Sequence, residues 1–470
     1  MRAPSQPARP MPAGPLAIPA LPISSQGTRT WSVPGSKSIT NRAYVLGALS
    51  KRTVLHNVLE SDDTLRMREC LTALGIQIQD LHRNEVAISG GRHRLKAPNH
   101  ELFVGNSGTT VRFLAGLAAL ISGTVTFCGD QHMAKRPIMD LVEGLRQLGL
   151  HVECPTGCPP LTIHGGGITG SHVVMRGEKS SQYFTALLLS AGAFDTDLHI
   201  TIEGDLVSRP YIDMTVEMVN RFCFNNPIQV VPSGFIVSGR QTFGYPDERT
   251  LSYFVEPDAS SASYPFALAA ATGRTIDVPG LGVHSLQGDF QFTEVLRRMG
   301  AEVTSRSGFE RVAGRIEYTS VTGPSDGLRG IEIDMHHISD TVMTLAAIAP
   351  LCHGPTTIKN VANIRIKETD RLIATVTELR KLGQQVDIHE KGDGFTIYPR
   401  PLKPALIECY SDHRMAMSFA ILAAAARESH WDVSVPTTER LIHIADPACT
   451  AKTYPNFWDH LAALYPQRPW

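Results

Sequence analysis

Two patterns of apolar and polar positions alternate along this 470-residue chain. In the first, an amphipathic stretch ends in LxxLG or a close variant and passes straight into a β-like triplet. It reads LTALGIQI (71–78), LRQLGLHV (145–152), LRRMGAEV (296–303) and LRKLGQQV (379–386), with glycines at Gly75, Gly149, Gly300 and Gly383. Glycine there supplies the left-handed residue that stops a helix before a strand. The interval from Gly149 to Gly300 is twice the others, and VNRFCFNNPIQVV (219–231) lies midway, with Cys223 in the glycine's place. LAALY (461–465) closes the series. The period is roughly 74–83 residues, repeated six times.

The second pattern interleaves with the first. A turn of small polar residues runs into a nearly all-apolar helix: SKSITNRAYVLGAL from Ser36, NSGTTVRFLAGLAAL from Asn106, SSQYFTALLLSAGA from Ser180, DASSASYPFALAAATG from Asp258, ISDTVMTLAAIAPLCHG from Ile338 and SDHRMAMSFAILAAAA from Ser411. Helices apolar on every side are buried. Each repeat therefore predicts one buried helix, one surface helix and several strands. Six units split into three and three. The fold expected is two similar α/β domains, each with three parallel helices inside a shell of sheets. Parallel helices converge their N-termini on one face, so two domains facing each other are expected to enclose a cleft ringed by six helix ends, a site suited to anions.

Composition narrows the field. With 42% hydrophobic and 19% charged residues and a formal net charge of −1, nothing argues for nucleic acid or an acidic membrane surface. No apolar run approaches the roughly 20 residues that span a bilayer. The eight cysteines are scattered without a CxxC pair, which gives no zinc pattern and fits free thiols in a reducing, cytoplasmic compartment. Residues 1–15, rich in proline and lacking acids, are expected to form a flexible tail rather than a transit peptide.

The polar residues at the six helix entrances make chemical sense together. The first holds Lys37, Ser38 and Arg42 with no acid, at a helix end that disfavours cations. The second holds Asn106, Gly108 and Thr109, with Arg112 one turn in. The third holds Ser180, Ser181 and Gln182, the fourth Asp258, Ser260 and Ser261, the fifth Asp340, and the sixth Asp412, His413 and Arg414. Arg136, Arg371 and Lys452 lie in turn-like contexts. Singly, each Ser, Asp or Asn is an ordinary N-cap, and Glu368 and Asp370 in RIKETDRL read equally well as a solvated helix face. Recurrence at one structural position in six units favours a ligand with several phosphate or carboxylate groups. Many fixed cations and few acids suit stabilisation of anionic intermediates, and Asp340 and Glu368 become candidates for proton transfer. No GxxxxGK[ST] or HExxH motif occurs, so ATP is not indicated.

The segments PGSKSITNR, GNSGTTVRF, KRPI, SSQYFTALLL, GDLVSRPYID, EPDASSASY, NIRIKETDR and YSDHRMAM, spread from Pro34 to Met417, resemble the signature segments of the 5-enolpyruvylshikimate-3-phosphate synthase family. The resemblance implies the two-domain inside-out α/β barrel of enolpyruvyl transferases, with six βαβαββ-like units, three per domain. It places the chain crossings near residues 34 and 256, so that 16–34 with 257–470 form one domain and 35–256 the other, with the active site between them. It implies transfer of the enolpyruvyl group of phosphoenolpyruvate to the 5-hydroxyl of shikimate 3-phosphate in the shikimate pathway, through a tetrahedral intermediate, with no metal or cofactor. It also implies a monomer and inhibition by glyphosate at the phosphoenolpyruvate site.

Carried over position by position, Lys37, Ser38, Arg42, Ser180, Ser181, Gln182, Ser208, Asn363 and Lys367 would contact shikimate 3-phosphate. Lys37, Gly108, Arg136, Gln182, Arg371, Arg414 and Lys452 would surround phosphoenolpyruvate. Asp340, also on the sugar, would take the hydroxyl proton, and Glu368, with Lys37 as partner, would manage the proton at the methylene carbon. TTVRF stands where AMRP is frequent, which puts Phe113 at a common proline position. KRPI replaces ERPI, and Pro257 stands where glycine is common. The sister transferase acting on a UDP-amino sugar usually carries a cysteine in the loop before its RP dipeptide. Here the loop is GDQHMAKRPI, and the nearest cysteine, Cys128, precedes it. A non-catalytic repeat protein that only binds a phosphorylated ligand is disfavoured by Asp340, Glu368 and Lys37 occurring together.

Overall fold

A computed structural model describes residues 14–22, 27–310 and 314–470. The expectation of a flexible tail falls, for residues 1–13, outside the described residues. The chain forms two compact units: a continuous one, Pro34–Glu256, and a discontinuous one, Met1–Val33 with Pro257–Trp470.

Both helix series are present. The buried helices are α1 (Lys37–Leu49), α3 (Gly108–Ala118), α5 (Ser181–Ala191), α7 (Ala259–Thr272), α9 (Val342–Ile348) and α11 (His413–Ala425). Alternating with them are α2 (Asp62–Ala73), α4 (Met139–Gln147), α6 (Arg209–Cys223), α8 (Phe292–Arg298), α10 (Arg371–Lys381) and α12 (Phe457–Ala462). Every residue of α3, α9 and α11 is buried, which is what an apolar face on all sides requires. In the continuous unit α1, α3 and α5 pack on one another, and in the discontinuous unit α7, α9 and α11 do the same.

The strands form six small sheets among the described residues, five of four strands and one of three. Each joins a parallel pair to an antiparallel neighbour. One sheet of the continuous unit, for example, sets Leu102–Phe103 parallel to Gly123–Cys128, then adds Leu161–Gly165 and His151–Glu153 antiparallel. Three sheets are completed by distant segments. Leu251–Phe254 pairs with Thr53–His56 in the continuous unit. Leu16–Ile18 pairs with Ile442–Ile444, and Arg29–Thr30 with the strand at Ile276–Asp277, in the discontinuous one. Leu16, Ile18, Trp31 and Val33 belong to that unit's apolar core, so the N-terminal segment is structurally part of it.

Two details differ from the sequence expectation. The helix-stopping glycines have positive φ as expected, +97° at Gly75, +88° at Gly149, +109° at Gly300 and +85° at Gly383. In the third repeat, however, the left-handed residue is Phe224 (φ 62°), one past Cys223. Its ring stacks on Tyr245 at 4.9 Å, a contact that helps hold a conformation costly for a side chain. The second difference lies in RIKETDRL. Asp370 caps α10 by accepting from the Ile373 amide, so the helix starts at Arg371 and Glu368 sits in the bend before it. The solvated-helix-face reading fails there, because Glu368 is largely buried.

Candidate active site

In the continuous unit the helix entrances meet. Ser36 caps α1, Ser107 caps α3 and Ser180 caps α5, each side-chain oxygen accepting from an amide in the first turn. The ordinary capping role therefore holds for Ser180, whose hydroxyl keeps its own proton to donate. Arg112, in the first turns of α3, donates to Gln182 Oε1 of α5 at 2.7 Å and lies over the Tyr183 ring. Arg136 donates to both the carbonyl and the side-chain oxygen of Asn106, at 3.1 and 3.2 Å. Lys37 Nζ lies 3.7 Å from Asp63 Oδ2 at the start of α2. Ser181 is buried at the head of α5, and Ser208 is buried at the head of α6 in a left-handed conformation, φ 52°. Non-glycine residues held there store strain typical of functional sites.

Arg42 answers the question posed by two cations at one helix entrance. Its side chain is only 2% exposed. The guanidinium donates to Thr215 Oγ1 at 2.8 Å, the Ser38 carbonyl at 2.8 Å, the Tyr211 carbonyl at 3.1 Å and Thr185 Oγ1 at 3.4 Å. It also sits 5.1 Å from the centre of the Phe113 ring. Burial lowers its pKa to about 10, which leaves it charged at neutral pH. Arg42 thus ties α1, α5 and α6 together, and Phe113 is the floor beneath it.

Gly108, the first residue of α3, has no open space over it. A Cβ there would stand 2.6 Å from Arg136 Nη2 and 2.8 Å from Arg112 Nη1. Glycine is needed so that two guanidinium groups can lie against the helix end.

The discontinuous unit has a different electrostatic plan. Arg371, at the first position of α10, is 1% exposed. Three carboxylates surround it: Asp412 Oδ2 at 2.7 Å from Nε, Glu368 Oε2 at 2.8 Å from Nη2 and Asp340 Oδ1 at 3.2 Å from Nη1. Burial acts to lower the guanidinium pKa, and Asp412, Glu368 and Asp340 together outweigh it, so the pKa is raised. Arg414, in the first turn of α11, donates to Asp340 Oδ2 at 2.8 Å and to its carbonyl at 3.1 Å. Lys367 lies 3.8 Å from Asp340 Oδ1, and Lys452 lies 3.3 Å from Glu368 Oε1. Asn363 Nδ2 donates to Ser339 at 3.1 Å. Asp340 itself sits in the 3₁₀ turn His336–Thr341 that leads into α9.

The sequence expectation of few acids is therefore wrong for this unit. Asp412 caps α11 and also binds Arg371. Asp289, overlooked in the sequence, is buried and accepts from Ser260 Oγ. Burial first, and the charge of Asp340 second, raise its pKa to about 6. Its only sequence signal is SLQGDF, an acid before an amphipathic helix, which reads as a helix start. Burial first, then Glu101, raise the pKa of the Cys128 thiol, which favours its protonated form.

Residues 25–461 match the profile of the family described as EPSP synthase (3-phosphoshikimate 1-carboxyvinyltransferase). A 3-phosphoshikimate 1-carboxyvinyltransferase of Klebsiella pneumoniae is 41% identical over 443 residues, covering 93% of this chain and 96% of that protein. The chloroplastic enzyme of the same name from Nicotiana tabacum is 42% identical over 446 residues, covering 92% and 82%. A solved EPSP synthase of Acinetobacter baumannii shares the fold with a TM-score of 0.76 over 97% of this chain and 99% of that one, at 24% identity. With the repeat architecture and the paired cations and carboxylates already in place, the conclusion is that this chain belongs to the EPSP synthase family.

Proposed function

We propose that this protein transfers the enolpyruvyl group of phosphoenolpyruvate to the 5-hydroxyl of shikimate 3-phosphate and releases inorganic phosphate, a step of the shikimate pathway toward aromatic amino acids. The observation that carries this reading is that, in a chain of this family, Asp340 and Glu368 sit among Arg371, Arg414, Lys367 and Lys452, while Lys37 and Arg136 stand at the entrances of the other unit.

The chemistry divides among these side chains as follows. The hydroxyl oxygen bonds to the central carbon of phosphoenolpyruvate while a proton adds to its methylene carbon. The carbon–oxygen bond to phosphate then breaks as that proton is lost again. Asp340 takes the hydroxyl proton, which the departing phosphate finally carries away; Glu368, with Lys37, gives and retrieves the methylene proton. Arg136, Arg371, Arg414 and Lys452, with the helix end at Gly108, neutralise the phosphate and carboxylate of phosphoenolpyruvate. Ser38, Arg42, Ser180, Ser181, Gln182, Ser208, Asn363 and Lys367 orient shikimate 3-phosphate.

A carboxylate shared by three cations is a weak base, and Asp340 has Arg371, Arg414 and Lys367 around it. Incoming substrate anions compete for those cations and so release Asp340 to accept a proton. Glyphosate, an anion of similar groups, is expected to compete with phosphoenolpyruvate. We further infer a monomer working in a reducing compartment such as the cytoplasm; all eight cysteines are free thiols, and no described helix is long and apolar enough to cross a membrane. A coupled assay for phosphate release tests the reading. Release should require both substrates together; release from phosphoenolpyruvate with a UDP-amino sugar instead, or none at all, would refute it.

A further inference from the structure

One sheet of the continuous unit carries a second cluster of ligating side chains that the transfer reaction does not use. His151, on the strand His151–Glu153, stands directly opposite His164 on Leu161–Gly165. Glu153 follows two residues after His151 and so projects from the same face. Its Oε1 lies 3.0 Å from His164 Nε2 and 3.5 Å from His151 Nε2. The three candidate ligand atoms all lie within 4.8 Å of one another, and the two imidazole rings are 4.8 Å apart, tilted by 34°. On the neighbouring strand, Thr124 is in register with His164, and its hydroxyl is 3.1 Å from His164 Nδ1.

We propose that His151, Glu153 and His164 form a surface binding site for a divalent transition-metal ion of the zinc class. Two imidazole nitrogens with one carboxylate oxygen suit zinc, nickel or copper, whereas magnesium and calcium prefer all-oxygen sites. Ligand atoms on a tetrahedral zinc ion stand about 3.3 Å apart, given bonds of about 2.0–2.1 Å. The distances from Glu153 to the two rings bracket that value. The remaining gap between the rings closes by rotation of side chains that are free to move, since His151 is 72% and His164 39% exposed. Thr124 does for His164 what outer partners do at metal sites. By engaging Nδ1 it fixes the ring and leaves Nε2 to the ion. The backbone ladder, not a loop, sets the spacing, so little ordering is needed on binding. Water completes the coordination. The bound ion clips the hairpin that encloses residues 154–160, stabilising the fold by mass action without touching turnover.

Isothermal titration of the full-length protein, stripped with EDTA, with zinc chloride provides the test. The chain has 18 histidines, so a His151→Gln/His164→Gln double variant measures binding elsewhere. These exposed positions are not expected to disturb folding, which equal melting temperatures in EDTA would verify. The wild type should show one equivalent of tight binding, missing in the double variant, together with a zinc-dependent rise in melting temperature that the variant lacks. Thr124→Val, which keeps all three ligands, should weaken binding by roughly tenfold or more. Magnesium chloride should give neither effect. Identical zinc isotherms for the wild type and the double variant would overturn the proposal.

Discussion

Glu368 bridges Arg371 and Lys452, so its replacement tests chemistry and position together. Glu368→Gln keeps the shape and one acceptor, and Arg371 retains Asp412 and Asp340. The expected result is a drop in kcat of roughly 10²-fold or more, the scale of general acid–base catalysis, with shikimate 3-phosphate affinity little changed; steady-state kinetics and a binding titration read both. At Gly108 an added methyl displaces Arg136 and Arg112. Losing one well-placed charged hydrogen bond costs about 1.5–3 kcal/mol. Gly108→Ala should therefore raise KM for phosphoenolpyruvate about tenfold or more. Glyphosate, which must extend further past the same groups, should lose more, and matched inhibition curves with equal proportional losses would defeat that part. Asp289 makes a pH prediction. Its carboxyl holds its proton to about 6 in the folded protein but only to about 3.9 when unfolded. Stability from this group is thus complete in acid and lost as pH rises through about 6. Asp289→Asn should remove that loss, gaining about 2 kcal/mol relative to wild type between pH 4 and pH 7.5, as measured by urea unfolding at both.

The repeat's helix stop was plain in the sequence, yet its cost differs from copy to copy for reasons only packing supplies. At Gly300 a Cβ would meet nothing closer than Pro324 at 3.6 Å, while at Gly75 it would stand 2.5 Å from the Arg94 carbonyl oxygen. Gly300→Ala should cost only the left-handed penalty, about 1–2 kcal/mol. Gly75→Ala should cost clearly more, because backbone cannot swing aside as a side-chain tip can. Thermal unfolding of the two variants checks the order, and equal losses would show that φ alone governs both sites. Capping was equally legible at Ser180, Asp258 and Asp412, which accept from first-turn amides; Ser36, Ser107 and Asp370 do the same, although Asp370 reads in the sequence as part of a helix face. The shift of the left-handed residue from Cys223 to Phe224 was not, since no glycine marks the stop and a ring stack substitutes for the missing freedom.

At the scale of the molecule, the N-terminal segment closes two sheets of a unit whose other residues begin more than 220 positions later. Deleting residues up to Thr30 removes both strands and the buried side chains of Leu16, Ile18 and Leu21. Three such side chains contribute roughly 5–9 kcal/mol, comparable to the whole stability of a domain. The truncated protein should lose the discontinuous unit's unfolding transition and expose residues 257–470 to protease. The continuous unit, whose sheets are completed within 34–256, should persist as a resistant fragment. Calorimetry and limited proteolysis would show this, and survival of both units would contradict it.

By itself the sequence determined the alternation of buried and surface helices, the stops between them and the polar residues at their entrances. Backbone geometry fixes where each side chain points, so a helix apolar on every side declares its burial locally. What the sequence left undecided is which charge meets which. Arg371 and Asp412 are 41 residues apart, Arg414 and Asp340 74, and Arg42 and Thr215 173. Such pairings depend on how whole elements pack, and the energy of a buried charge depends on partners that no local pattern names. Only the tertiary structure showed that Arg42 is a buried strut, that Asp289 exists as a perturbed acid, and that carboxylates pair with the cations of the discontinuous unit.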